Sequence, residues 1–125
     1  MRTILFSVLL FVSISGCANM VSEPRDQAWS TVRGEILARN HSGQITPLEA
    51  QLQLKRKYWE IYGGDAYMAG YFGYAVSLLT SAQRGDIELQ EAQALVEAKE
   101  AEAFARASED RRRLARLREL DGDYN

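Results

Sequence analysis

The chain has a single cysteine, Cys17, and a single histidine, His41, and these two side chains have the most versatile chemistry in it. A thiol can serve as a nucleophile, a metal ligand, a disulfide partner or an acceptor for lipid. His41 lies in the polar segment 40–43, which is typical of a solvated turn. The sequence has no Gly-rich phosphate loop, paired histidines, Ser-His-Asp arrangement or metal-ligand spacing. It therefore predicts no enzyme activity, no cofactor and no metal site.

The residues before Cys17 have the pattern of an export signal. Arg2 supplies a positive start, and the apolar run 4–14 is shorter than the roughly 20 residues that a membrane-spanning helix needs. Small residues then lead directly to the cysteine, and Ile14-Ser15-Gly16-Cys17 resembles a bacterial lipobox. The alternative is an ordinary signal peptide followed by a free or buried thiol.

The lipobox resemblance implies that the Cys17 thiol is diacylated and that residues 1–16 are removed as a lipoprotein signal peptide. The new amino terminus is then usually acylated too, so the protein would be bound to a membrane through its lipid. Ala18 follows the cysteine, where lipoproteins retained in the inner membrane commonly have Asp. The resemblance therefore implies an outer-membrane lipoprotein that faces the periplasm.

The composition of the remaining chain predicts one small folded domain. The 125 residues are 46% hydrophobic and 26% charged, which is too apolar for a disordered chain. The formal net charge of -2 gives no reason to expect nucleic-acid binding. We expect a lipidated tether over 17–23 and a helical domain over 24–125, in which 100–125 form a charged helical extension.

Helical periodicity and turn residues predict an all-α bundle of about four helices. Ser22 can cap a first helix that has Pro24 in its first turn, and Thr46-Pro47-Leu48-Glu49 is a capping box for a second. The segment 63–65 breaks or kinks that helix, a third runs over 66–84, and a fourth, capped by Asp86, runs over 87–120. The residues predicted for the core are Trp29, Trp59, Phe72 and Leu79.

An internal repeat indicates that the four helices form two tandem hairpins. Residues 43–51 align with residues 85–93 at an offset of 42, and both copies have a Gly turn, an isoleucine and a new helix. The last helix, at about 34 residues, would be longer than its neighbours, so its end would overhang the bundle.

Two surfaces are candidates for binding a partner. The uncharged segment 66–82 has a tyrosine stripe and small residues at a spacing of four, which favours a tightly packed core helix over a membrane span. The end of the last helix is basic and could contact anionic lipid, peptidoglycan or an acidic protein; alternatively, its cations only complement the helix dipole. The predicted partner-binding residues are Tyr67, Tyr71, Tyr74, Arg111, Arg112, Arg113, Arg116 and Arg118.

Together these patterns predict a lipid-anchored periplasmic protein that acts as an assembly, adaptor or envelope-structure factor. Such a protein is similar in architecture to the secretin pilotins, small helical lipoproteins that carry an outer-membrane protein to its place. The alternative is a small-ligand or glycan-binding lipoprotein that uses an aromatic surface near Trp59, Tyr62 and Tyr67. An empty groove there would favour the binding module, and a filled core would favour the adaptor. An envelope hydrolase would need a buried carboxylate pair, which residue spacing does not reveal.

Overall fold

The computed structural model describes residues 23–122, which form four helices joined by short turns. Helix α1 is Pro24–His41, α2 is Pro47–Tyr62, α3 is Ala66–Gln83 and α4 is Leu89–Gly122. Residues 23–122 contain no strand, so the all-α prediction is confirmed. The predicted signal peptide, Cys17 and the Ser22 cap lie outside the described residues.

The internal repeat corresponds to two turns of the same geometry. Gly43 and Gly85 have φ of 80° and 83°, a left-handed conformation that glycine adopts without strain. The residue after each glycine donates its backbone N–H to a carbonyl five positions earlier, at 2.9 Å in the first turn and 3.0 Å in the second. Residues 24–122 therefore form two helical hairpins, α1–α2 and α3–α4.

The same repeat corrects the predicted start of α4. Asp86 was expected to cap a helix starting at residue 87, but its N–H bonds back to Ser81 O and the helix starts at Leu89. Glu88 occupies the position that Thr46 has before α2, where the Thr46 side chain accepts from Glu49 N at 3.1 Å. The turn includes the glycine and the inward-pointing isoleucine, and a new helix begins only after them. The position before α4 is therefore Glu88, two residues after Asp86.

The four helices pack in chain order and leave one side of the bundle open. Helix α1 packs on α2, α2 on α3 and α3 on α4. Helices α1 and α4 are joined by side chains, since Arg33 Nε donates to Glu100 Oε1 at 3.0 Å. The largest fully buried side chains are Tyr58, Tyr71, Phe72, Ile36, Leu54 and Met68.

Aromatic rings fill the centre of the bundle. Tyr58 lies edge-on to Trp29 at 5.3 Å between ring centroids, and Phe72 lies 4.8 Å from Tyr71. Trp29, Phe72 and Leu79 are buried as predicted, with at most 4% of their surface exposed. The prediction is wrong for Trp59, which is only half-buried and packs one face on the core. Helix α4 contributes mainly alanines to the core, which allows it to lie close to α3.

Residues 63–65 break the chain between α2 and α3. Gly63 and Gly64 both have positive φ, and Asp65 caps α3 by accepting from Met68 N at 2.8 Å. A Cβ on Gly64 would lie 2.6 Å from Trp59 Nε1, so the half-buried indole covers this turn.

We expect Gly64→Ala to destabilise the fold by about 1–3 kcal/mol, because alanine would be strained at this φ and would displace Trp59. Gly70→Ala is the matched control, since this glycine lies within α3 and has open space around it. The control should stabilise the fold by up to about 1 kcal/mol through helix propensity. Urea unfolding followed by circular dichroism measures both, and equal stabilities would contradict the expectation.

Candidate functional site

The side chain of Arg111 packs against other parts of the bundle. Its Nη1 donates to Tyr58 Oη at 2.7 Å and lies 3.7 Å from Asp65 Oδ2, while its guanidinium lies 4.0 Å from the centre of the Tyr62 ring. Only 18% of its side chain is exposed. Arg111 was predicted to bind a partner, but these contacts instead fix α4 to the junction of α2 and α3.

The start of α1 lies at the same end of the bundle as Arg111. Tyr62 Oη donates a hydrogen bond to the Asp26 carboxylate, and the Arg25 guanidinium lies 5.6 Å from the centre of the Tyr62 ring. The Arg111 guanidinium contacts the same ring. Tyr62 therefore links the first turn of α1 to the last part of α4 that packs on the bundle.

Beyond Arg111, the end of α4 leaves the bundle. All of residues 112–122 are exposed, and at 1.5 Å per residue they extend about 16 Å. We call residues 112–122 the overhang. Arg113 pairs with Asp110 at 2.5 Å, on the exposed side of the helix. Three leucines of the overhang are 45%, 54% and 60% exposed; these are Leu114, Leu117 and Leu120.

The tyrosines of α3 do not form a single exposed stripe. Tyr67 and Tyr74 are 42% and 37% exposed, whereas Tyr71 is fully buried. The Tyr71 hydroxyl donates to Gln51 Oε1 at 2.7 Å and lies 3.2 Å from Glu100 Oε2. Tyr71 was predicted to bind a partner, but its side chain points to the core because it shares a face with Met68 and Ala75.

The small residues of α3 face away from the bundle. They were expected to let α3 pack closely within a core, yet they are exposed, and a Cβ on Gly70 or Gly73 would have nothing within 4 Å. We call this surface the α3 outer face; it comprises Ala66, Tyr67, Ala69, Gly70, Gly73, Tyr74 and Ser77. It is bordered by α4, where Lys99 Nζ lies 5.9 Å from the centre of the Tyr74 ring. The face contains no charged side chain.

The open side of the bundle contains a cleft between α1 and α4. It has a volume of about 180 Å³, and Gln51 and Tyr71 lie among its lining residues. Glu100 bonds both Arg33 and Tyr71 across it. His41 also lines the cleft. Residues 23–122 contain no cluster of His, Cys, Asp and Glu that could hold a metal ion.

The aromatic residues around Trp59 pack against each other. Tyr58 and Tyr62 have ring centroids 4.7 Å apart, and Trp59 lies 5.8 Å from Phe72. On the outside, Lys55 Nζ is 5.9 Å from the centre of the Trp59 ring, beside a shallow surface depression. Trp59 and Tyr62 are therefore partly buried against the core, whereas Tyr67 is exposed on α3.

Three tyrosines are held in their neutral form. Burial raises the pKa of the Tyr58 hydroxyl, and its hydrogen bond to Asp65 raises it further. Burial also raises the pKa values of Tyr62 and Tyr71, with Asp26 and Glu100 as their respective nearby carboxylates. An unfolded tyrosine has a pKa of about 10. The folded state therefore loses stability as the pH rises above about 10, because the unfolded chain releases these protons more easily.

The effect of these tyrosines on the urea midpoint of unfolding should be small up to about pH 10. Above that pH the midpoint should fall, because the unfolded chain releases the three protons and the folded protein does not. Tyrosinate absorbance should rise in two stages, the second coinciding with unfolding. An unchanged midpoint well above pH 10, or ionisation of all six tyrosines before unfolding, would show that the three hydroxyls are not held as the contacts indicate.

No family model, curated protein or solved structure matches the chain. The described helices include none that is both long and apolar enough to cross a membrane. The function proposed below is therefore based on the sequence, surfaces and contacts of this protein.

Proposed function

We propose that the protein is a lipid-anchored, non-enzymatic adaptor or assembly factor on the periplasmic face of the outer membrane. The anchor is Cys17 of the lipobox-like segment Ile14-Ser15-Gly16-Cys17. The observation that carries the adaptor role is the exposed, uncharged α3 outer face with Tyr67 and Tyr74 on it. In this proposal the lipid holds the body at the membrane and the α3 outer face binds another envelope protein, as a pilotin-like carrier would.

The chemistry of the α3 outer face suits an uncharged helix of the partner. Gly70 and Gly73 leave space for a second helix backbone to approach closely, as small residues at helix contacts do. Tyr67 and Tyr74 are seven positions apart, so about 10 Å of helix separates them. Both rings lie along the side of this face that borders α4, where they can contact a bound helix while their hydroxyls still reach water.

The packed aromatic core supports the adaptor over a small-ligand or glycan-binding lipoprotein. Trp59 and Tyr62 are engaged with Phe72 and Tyr58, and Lys55 covers the exposed side of the indole. The remaining depression beside Trp59 is shallow and offers a ligand little enclosure. A glycan-binding role predicts that envelope saccharides quench Trp59 fluorescence, and the adaptor role predicts no such change.

Site-specific photocrosslinking in intact cells tests the adaptor proposal. A photoreactive aromatic residue at position 74 should give a discrete product with another protein. The same residue at position 95 is the control, since Leu95 is 40% exposed on α4. Gly70→Glu should abolish the product, because it places a charge on the face at a position with open space.

Two results would contradict the proposal. One is the absence of a product at position 74; the other is a product that forms equally at positions 74 and 95. Cells that carry two differently tagged copies distinguish a partner protein from a second copy of this chain. Circular dichroism of Gly70→Glu should show an unchanged fold, so that loss of the product reports binding.

A further inference from the structure

We infer that the overhang, residues 112–122, lies against the anionic lipid headgroups of the bilayer that holds Cys17. This inference rests on the proposed lipid anchor and adds a second contact with the same membrane. It assigns to the end of α4 the task of orienting the body at the membrane surface.

The start of α1 and the start of the overhang lie at the same end of the bundle. Tyr62 contacts the first turn of α1 through Asp26 and the end of the packed part of α4 through Arg111. The chain from Cys17 therefore enters the bundle at the end from which the overhang leaves. Six residue-to-residue steps lead from Cys17 to Glu23, and at about 3.5 Å each they reach at most about 20 Å. The overhang is about 16 Å long, so the tether and the overhang have comparable reach.

The overhang and the rest of the described body have net charges of opposite sign. Residues 112–122 have four arginines and two carboxylates, for a net charge of +2, whereas residues 23–111 have ten Lys or Arg and fourteen carboxylates, for a net charge of -4. An anionic surface attracts the overhang and repels the rest of the body. Each arginine close to such a surface strengthens binding about fivefold. The attraction would therefore turn this end of the bundle towards the lipid.

The overhang also has three leucines interspersed with its arginines. Leu114, Leu117 and Leu120 are about half exposed, although they are large and apolar. A helix of this composition can place leucines at the boundary of the headgroups and acyl chains while the long arginine side chains reach the phosphates.

The helix dipole does not explain the basic residues. Its effect is confined to the last turn of a helix, and the last turn of α4 has no basic residue. Glu119 and Asp121 lie at this end instead, where the dipole disfavours them. Arg112, Arg113 and Arg116 lie further from the end, so their clustering needs another explanation.

The test uses the lipidated protein reconstituted into vesicles. Because lipid occupies the Cys17 thiol, Leu117→Cys supplies one free thiol for an environment-sensitive fluorophore, and Leu95→Cys supplies the control position. The vesicles are phosphatidylcholine alone or an equal mixture with phosphatidylglycerol. We expect the probe at 117 to shift to the blue and brighten in the anionic vesicles only, and the probe at 95 to remain unchanged.

Charge variants complete the test. The triple variant Arg112→Gln, Arg116→Gln and Arg118→Gln should lose the response at 117 by more than tenfold, and added salt should weaken it. The matched control, Arg56→Gln, Arg84→Gln and Arg106→Gln, removes three exposed charges elsewhere and should keep the response. Arg111 is left intact because it belongs to the fold.

An absent response at 117, an equal response at 95, or an unchanged response in the triple variant would overturn the inference. A response to isolated peptidoglycan but not to anionic vesicles would overturn it too, and would assign the overhang to the cell wall. The intact mass of the protein distinguishes failure of this inference from failure of the proposed lipid anchor. An unmodified Cys17 contradicts the proposed anchor, whereas a lipidated protein without a response at 117 contradicts only the membrane contact of the overhang.

Discussion

Cys17→Ser is expected to release the protein from the membrane fraction almost completely. The thiol is the only one in the chain, so no other side chain can accept the diacylglycerol. Each buried CH2 group of an acyl chain contributes about 0.8 kcal/mol to membrane binding, and one chain alone gives only weak attachment. Loss of all the chains should therefore remove the anchor. Membrane fractionation and intact mass measure the effect, and the serine variant should also stay uncleaved or be cut elsewhere.

A second substitution separates lipidation from sorting. Ala18→Asp leaves Cys17 and its lipid intact, so the protein should remain in the membrane fraction. By resemblance to the sorting pattern of lipoproteins, it should move from the outer to the inner membrane. An unmodified Cys17 in the natural sequence, or full membrane retention of Cys17→Ser, would remove the anchor from the proposal.

The helices and turns of residues 23–122 could be predicted because local residues specify them. Thr46 and Pro47 begin α2, and glycines with positive φ end the helices before the two equivalent turns. The start of α4 was missed because Asp86 is a good capping residue by type. Alignment with the first turn would have placed the cap at Glu88, so the repeat is a better guide there than residue preference.

The roles of individual side chains at the two surfaces could not be predicted in the same way. Arg111 stands first in a run of three arginines, and only its contacts with other parts of the fold distinguish it from the exposed Arg112. Gly70 and Gly73 each belong to a series of small residues at a spacing of four, which is typical of a packing interface, but both are exposed and Tyr71 is buried. Which face of α3 is buried depends on where α2 and α4 lie, and that is a property of the whole bundle.

The partial burial of Trp59 could not be predicted from helical spacing either. Large aromatic residues at helical spacing predict a core, and Trp29 and Phe72 follow this rule. Trp59 is one position away from the fully buried Tyr58, so it lies at the edge of the buried face of α2. Its ring covers Gly64, a contact that depends on the turn after α2.

Phe72→Ala is expected to destabilise the folded protein more than Trp59→Ala does. Phe72 is 1% exposed, and its ring lies within 6.1 Å of the rings of Tyr58, Trp59 and Tyr71. Removing a buried phenylalanine typically costs about 3–5 kcal/mol, because the lost burial and the remaining cavity both destabilise the folded state. A domain of this size is stable by about 5–15 kcal/mol, so the melting midpoint should fall by roughly 10–30 °C.

Trp59→Ala is the informative comparison, because the two rings are neighbours and differ mainly in burial. The indole is only partly buried and one of its neighbours is the Lys55 side chain, so its removal should cost less than removal of Phe72. Thermal and urea unfolding of the chain without residues 1–16 and with Cys17→Ser, followed by circular dichroism, measures both variants. Equal losses for the two variants would contradict the partial burial of Trp59 and would place it inside the core, as its sequence pattern predicted. A loss for Phe72→Ala below about 1 kcal/mol would show that the aromatic centre of α2 and α3 does not hold the bundle together.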